Sequence, residues 1–172
     1  MTPIERHAEA LLQEFGTTKA PIPVDRIAKS LGATIRYEPY DNSDGDDISG
    51  ILFREGGKVI IGVNASHSEV RQRFTIAHEI GHLRFHTGNL FVDGAARPLR
   101  RDQRASQAID RREISANQFA AALLMPKQLL STKLKSVRLV PLSLVHSLAE
   151  EFEVSAEAMA FRLKNLRYDI DA

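Results

Sequence analysis

His78, Glu79 and His82 stand in the stretch TIAHEIGHLRFH, residues 75–86. On a helix, residues four apart lie one turn apart on one face, so both imidazoles can reach a single ion. Glu79 points to the rim of the same face. This is the arrangement of H-E-x-x-H zinc sites, where two histidines hold the metal and the glutamate acts as general base. With six histidines and twelve glutamates in 172 residues, shuffling yields the triplet roughly once in 70 trials. The triplet alone therefore also fits a surface helix with two incidental histidines. A metal site needs a third protein ligand.

Cysteine is absent, so thiolate zinc sites, disulfides and cysteine nucleophiles are excluded, and any zinc must be held by histidine and carboxylate. His86 lies about 12 Å along the helix axis from His78, too far to share one ion. Its place near a helix end instead suits a cation. The metzincin pattern also fails, because Phe85 and Gly88 occupy the places of its glycine and third histidine. A carboxylate comes from REISANQFAAALLMP, residues 112–126, which reads as a helix closed by proline. Glu113, Ala116, Asn117, Ala120 and Leu124 share a stripe expected to pack inward. A carboxylate on such a stripe is costly unless compensated, and an ion would compensate it. Glu113 could also simply begin a helix, where negative charge suits the dipole. Beside the histidine helix it is expected to be the third ligand, leaving one position open. Asn117, one turn on, is expected to accept a hydrogen bond from the outer nitrogen of a liganding histidine.

The elements that must position these residues follow from periodicity. Thr2-Pro3 starts a helix that Gly16 stops, and residues 23–31 form a second, shorter one. ATIRYE alternates as a strand, and ISGILFREGGKVIIGVN reads as a hairpin around Gly56-Gly57. Residues 70–85 form the histidine helix. Residues 41–47 read as an acidic loop. Residues 93–112 read as polar and irregular. Their arginine-rich part, residues 97–112, is either a solvated loop or a cover that attracts acidic substrate. Residues 141–151 and 155–166 form a final helical pair. Helices, a small antiparallel sheet, then helices predict an α+β fold. A domain is expected over residues 1–130, followed by a helical extension, 131–172, packed on it.

The net charge is +1, which gives no global attraction to nucleic acid or anionic lipid. The N-terminus lacks the apolar core of a secretory signal, and no apolar run reaches the ~20 residues of a membrane span. No membrane association is expected, and the cytoplasm is the expected location.

RFTIAHEIGHLRFH (73–86) and E-x-x-A-N-x-F-A-A-x-L-L-M-P (113–126) together resemble the ImmA/IrrE family of zinc metallopeptidases. The upstream PVDRIAKSLG and the glycine hairpin add to the resemblance, which covers roughly residues 1–130. It implies zincin-like active-site helices, one catalytic Zn2+ held by His78, His82 and Glu113, and Glu79 as catalytic base. Ser115 stands where the family often has a second glutamate, and that position reads as behind the ligands or at the surface. The resemblance also implies a protein substrate, a DNA-binding repressor or similar regulator cleaved in a stress or mobile-element response. Strand addition along residues 58–63 could hold such a substrate. Tyr37, Tyr40, His146 and nearby arginines are candidates to steady the oxyanion.

SLVHSLAEEFEVSAEAMAFRLKNL, residues 143–166, resembles a helix-turn-helix, with Arg162, Lys164 and Arg167 on or just after its second helix. The alternative function is therefore a zinc-bound regulator that binds a partner or DNA there without cutting. Glu150, Glu151, Glu153 and Glu157 would repel phosphate, which favours a plain helical hairpin over a DNA reader.

Overall fold

The computed structural model describes residues 1–40, 47–94 and 103–171. The acidic loop, apart from Asp47, and the first part of the arginine-rich segment lie outside them. Among the described residues, seven helices and six strands form an α+β arrangement. Contacts divide the chain into two compact units, one of residues 24–120 and one of residues 1–23 with 121–172. No described helix is long and apolar enough to cross a membrane.

The unit of residues 24–120 is built on a four-stranded sheet in the order β1-β3-β2-β4. These strands are β1 (Ala33–Glu38), β2 (Ile48–Glu55), β3 (Lys58–Asn64) and β4 (Leu90–Gly94). The expected hairpin is present, with Glu55 opposite Lys58 and Gly56-Gly57 between them, both at positive φ. The sheet is mixed, however, because β1 runs parallel to β3. The hairpin signal sets β2 against β3 but says nothing about the strand before it. β1 takes the far side of β3, so β3 is an interior strand. The strand-addition edge expected at residues 58–63 is therefore already paired, and the edges belong to β1 and β4.

Two helices lie against this sheet. α2 (Val24–Ser30) contacts β1, and α3 (Glu69–Phe85) contacts β2 and β3. Leu52, Ile61 and Val63 meet Ile76, Ala77 and Ile80 in a core sealed from solvent. Ser68 caps α3, its hydroxyl accepting from the Arg71 N–H. At the other end Arg54 of β2 donates to the carbonyls of Leu83 at 2.9 Å, His86 at 3.1 Å and Gly88 at 2.5 Å. One guanidinium thus satisfies the orphan carbonyls of the helix C-terminus and ties its end to the sheet. α4 (Gln103–Leu124) starts nine residues before the expected Arg112. The segment 103–112 is helical rather than irregular, and its high polarity hid the 3.6-residue period.

The other unit holds α1 (Pro3–Phe15), α5 (Lys127–Lys133), α6 (Leu142–Phe152) and α7 (Ala156–Asn165), with a two-stranded parallel pair, β5 (Leu139–Pro141) and β6 (Asp169–Asp171). The helix pair at the C-terminus forms as expected, with Ser155 capping α7. Its basic residues are not one surface. Arg162 is buried, donating from Nε to the Met125 carbonyl at 3.1 Å and from its guanidinium to Glu5 at 3.0 Å. Glu5 also closes the capping box with Thr2 at the start of α1. Arg162→Met strands a largely buried carboxylate and a carbonyl. It is expected to cost about 2–3 kcal/mol, below the ~3–5 of fully enclosed pairs because Glu5 keeps some solvent. Thermal melts of the variant check this, and an unchanged midpoint would refute the structural role.

Candidate metal centre

α3 and α4 can approach closely because small residues face each other. A Cβ on Gly81 would lie 3.1 Å from the Ala116 Cα and 3.3 Å from the Phe119 ring. Phe85 and Phe119 meet edge to face at 5.2 Å beside this contact. The approach brings the His78 and His82 face of α3 against the Glu113 and Asn117 face of α4, as the stripe on the second helix predicts.

The two Nε2 atoms are 3.0 Å apart. The Glu113 carboxylate lies 3.2 Å from each of them. A fourth group completes the cluster. Asp93 of β4 places one oxygen 2.9 Å from His78 Nε2 and the other 3.7 Å from His82 Nε2. All four residues offer ligand atoms within 4.8 Å of one another, a set that could hold a metal ion. Ligands about 2.0–2.1 Å from a tetrahedral zinc lie roughly 3.3 Å from each other, which matches these separations.

The polar, irregular look of residues 93–112 conceals Asp93 in the sequence. A signal exists in LFVD. Leu90 and Val92 are exposed while Phe91 and Asp93 turn inward, the alternation of an edge strand. Phe91 stacks on the His82 ring at 4.7 Å.

The outer nitrogens explain why both inner ones are available. His78 Nδ1 donates to Asn117 Oδ1 at 2.8 Å, the contact that the i, i+4 spacing from Glu113 predicts. His82 Nδ1 faces His86 Nδ1 at 2.8 Å. Behind it, His86 Nε2 meets the Ser115 hydroxyl at 3.2 Å, and that hydroxyl donates to the Arg112 carbonyl at 2.8 Å. The hydroxyl proton is committed, so His86 must donate from Nε2 and accept at Nδ1, and His82 must donate. Both liganding candidates are thereby set as Nδ1–H tautomers with their Nε2 lone pairs aimed into the cluster. His86 is off the ligand set, as its axial distance requires. It is not a cation: burial, helped by the charges of His82 and Arg112, pushes it down to about 4.

With both imidazoles neutral, two nitrogen lone pairs and two carboxylates converge with no donor among them, an arrangement that calls for a proton or a metal ion. Burial opposes protonation of His78, but the Asp93 and Glu113 carboxylates outweigh it and raise the ring to about 9. His82 is raised for the same opposing reasons. The cluster is therefore a place for positive charge. Burial alone would raise Asp93 and Glu113, yet the two histidines hold both below their usual range.

Glu79 is fully buried, and among the described residues no donor group reaches its carboxylate oxygens, the nearest acidic neighbour being Asp93, with which it can only share a proton. Burial, with the Asp93 carboxylate beside it and the charge of Glu113, raises it well above its ordinary value. Gly50 of β2 makes the space, since a Cβ there would lie 2.7 Å from Glu79 Oε1. Such a buried carboxylate without a donor is the strongest sign that the residues fit a metal with a reacting group beside it. Of the oxyanion candidates, Tyr37 is half exposed and His146 belongs to the other unit. The Tyr40 hydroxyl lies against Gly62, and burial with the charges of Glu38 and Glu79 raises it.

The family described as IrrE N-terminal-like domain, Peptidase_M78, matches residues 28–164. Among solved structures, a Mycobacterium tuberculosis transcriptional regulator shares the fold with a TM-score of 0.62 at 16% identity. The match covers 95% of this chain and 47% of that one, so the chain spans about half the length of that regulator. No curated protein matches the sequence.

Proposed function

Because this chain belongs to the IrrE N-terminal-like domain family of peptidases, we propose that it is a zinc-dependent endopeptidase that cuts a regulatory protein. The observation that carries the reading is the convergence of His78 Nε2, His82 Nε2 and the Glu113 carboxylate beside the fully buried Glu79. Nitrogen and oxygen donors at tetrahedral separations, without cysteine, suit zinc. Bound there, zinc would supply Lewis-acid chemistry, polarising a peptide carbonyl and acidifying water.

His78, His82 and Glu113 would hold the ion, and Asn117 and His86 keep the imidazoles turned toward it. Glu79 takes a proton from the attacking water and later gives it to the leaving amine. Burial suits it to the first task, because a carboxyl raised above its ordinary range is a stronger base than a solvated one. β4 is an edge strand next to this cluster, and an extended peptide could add to its outer side. A DNA-binding repressor is the proposed target class. Its support is the family resemblance, together with a fold relative that is itself described as a transcriptional regulator.

The test is co-expression with candidate DNA-binding repressors from the same organism. The wild type should yield two fragments of the regulator, and Glu79→Ala should trap it intact. No fragment under any condition would favour a second reading, a metal-bound regulator that does not cut. The fourth donor, Asp93, is the observation on the side of that second reading. Direct DNA binding by the C-terminal helices is not favoured, since Arg162 is buried and four exposed glutamates surround the turn.

A further inference from the structure

Asp93 is one donor more than a hydrolytic site requires. Catalytic zinc keeps three protein ligands and an open position, whereas four protein ligands close the shell. Resting on the peptidase reading above, the geometry points to Asp93 as a self-inhibiting ligand. Its carboxylate fills the fourth position in the resting protein and must withdraw before water and substrate can enter.

Three observations place it there. Its two oxygens lie 2.9 Å from one Nε2 and 3.7 Å from the other, as the Glu113 oxygens lie 3.2 Å from both. Its side chain is only 12% exposed, so a solvated orientation is not the one the fold holds. The register of β2 against β4 also breaks at this point. Gly50 pairs with Asp93 and Ile48 with Gly94, so Ser49 is an extra residue. Such bulges occur beside active sites, and this one, on β2, interrupts the regular pairing directly opposite Asp93.

The two carboxylates differ in how they are carried. Glu113 sits mid-helix on α4, ten residues after its first described residue. Asp93 lies next to the end of a five-residue strand that, among the described residues, pairs on one side only. Terminal pairs of an edge strand open at far lower cost than a packed helix moves. Glu113 is therefore the permanent ligand, and Asp93 the one that can be exchanged. A peptide adding to the outer side of β4 would act on the strand that carries Asp93. Substrate binding and ligand release are thereby joined in one element.

The test uses the full chain loaded with Co2+, which shares the tetrahedral preference and reports its ligands by visible absorption. Acetohydroxamate serves as the probe for an open position. The wild type should bind one equivalent of cobalt and respond weakly to the probe. Asp93→Ala should keep the metal, change the spectrum, and bind the probe about 10–100-fold more tightly, because a site open only part of the time loses apparent affinity in proportion. Asp93→Asn, which preserves the shape, should fall between them and serves if the alanine variant fails to fold. Identical spectra and identical probe binding in wild type and variants would overturn the proposal. So would loss of the metal from Asp93→Ala as complete as from Glu113→Ala, which would make Asp93 a holding ligand. Absence of any bound cobalt in the wild type would sink the metal reading itself, and this proposal with it.

Discussion

Glu79→Gln is expected to slow peptide hydrolysis by about 10²–10⁴-fold, the span that a positioned general base contributes, while the bound metal stays at the wild-type level. The side chain has almost the same shape, and it is not among the donors that converge on the cluster. Metal content by elemental analysis, beside cleavage of the regulator, separates proton transfer from metal loss. Full activity in the variant would refute Glu79 as the base. The metal-free proteins give a second readout. Burial raises the Glu79 carboxyl well above 4.5, so the stability its protonated form permits is complete below 4.5 and is lost as pH rises toward the raised folded value. Metal-free Glu79→Gln should melt above metal-free wild type at neutral pH, and the gap should close on acidification below about 4.5.

Glu113→Ala is expected to abolish tight metal binding. It removes a donor 3.2 Å from both Nε2 atoms, and in a zinc-loaded sample the protein should come off a desalting column nearly metal-free. Asn117→Ala should be milder, weakening metal affinity by about 10–100-fold, as loss of a partner behind a ligand does. The gradient matters more than either value. A carboxylate that only capped a helix would leave both variants fully loaded, and unchanged zinc in Glu113→Ala would refute it as a ligand.

How far the site could be read in advance follows from the kind of signal each residue leaves. His78, Glu79 and His82 are one helical turn, and a turn is local information. Glu113 and Asn117 are legible because a carboxylate and an amide on an apolar stripe must face something. The structure shows the partner that stripe faces, the helix of His78. Asp93 and Arg54 left weaker traces. Asp93 sits in a five-residue strand, too short to stand out, and its partner strand is over thirty residues away. Arg54 looks like an ordinary polar position in a hairpin, yet it clamps the end of α3, and only the packing of sheet on helix reveals that. His86 stands outside the cluster of candidate ligands, which its axial distance from His78 leads one to expect. Its position behind His82 depends on the Ser115 hydroxyl arriving from α4, a contact that helix geometry alone does not foretell.

The fold follows the same division. The hairpin, the helix caps at Thr2, Ser68 and Ser155, and the C-terminal helix pair are carried by local chemistry. The parallel pairing of β1 with β3 and of β5 with β6 is long-range and leaves no turn residue to announce it. α4 extends back to Gln103 through a segment too polar to show a period. The burial of Arg162 against Glu5 removes from a suspected basic face the one residue that would have sat at its centre.

The proposed reaction requires one ion between α3 and α4 with Glu79 beside it. Anomalous diffraction at the zinc edge, from crystals of the zinc-loaded protein, tests it directly. The account predicts a single peak about 2.0–2.2 Å from His78 Nε2, His82 Nε2 and a Glu113 oxygen. A peak elsewhere, or none among these three residues in zinc-loaded crystals, would contradict it.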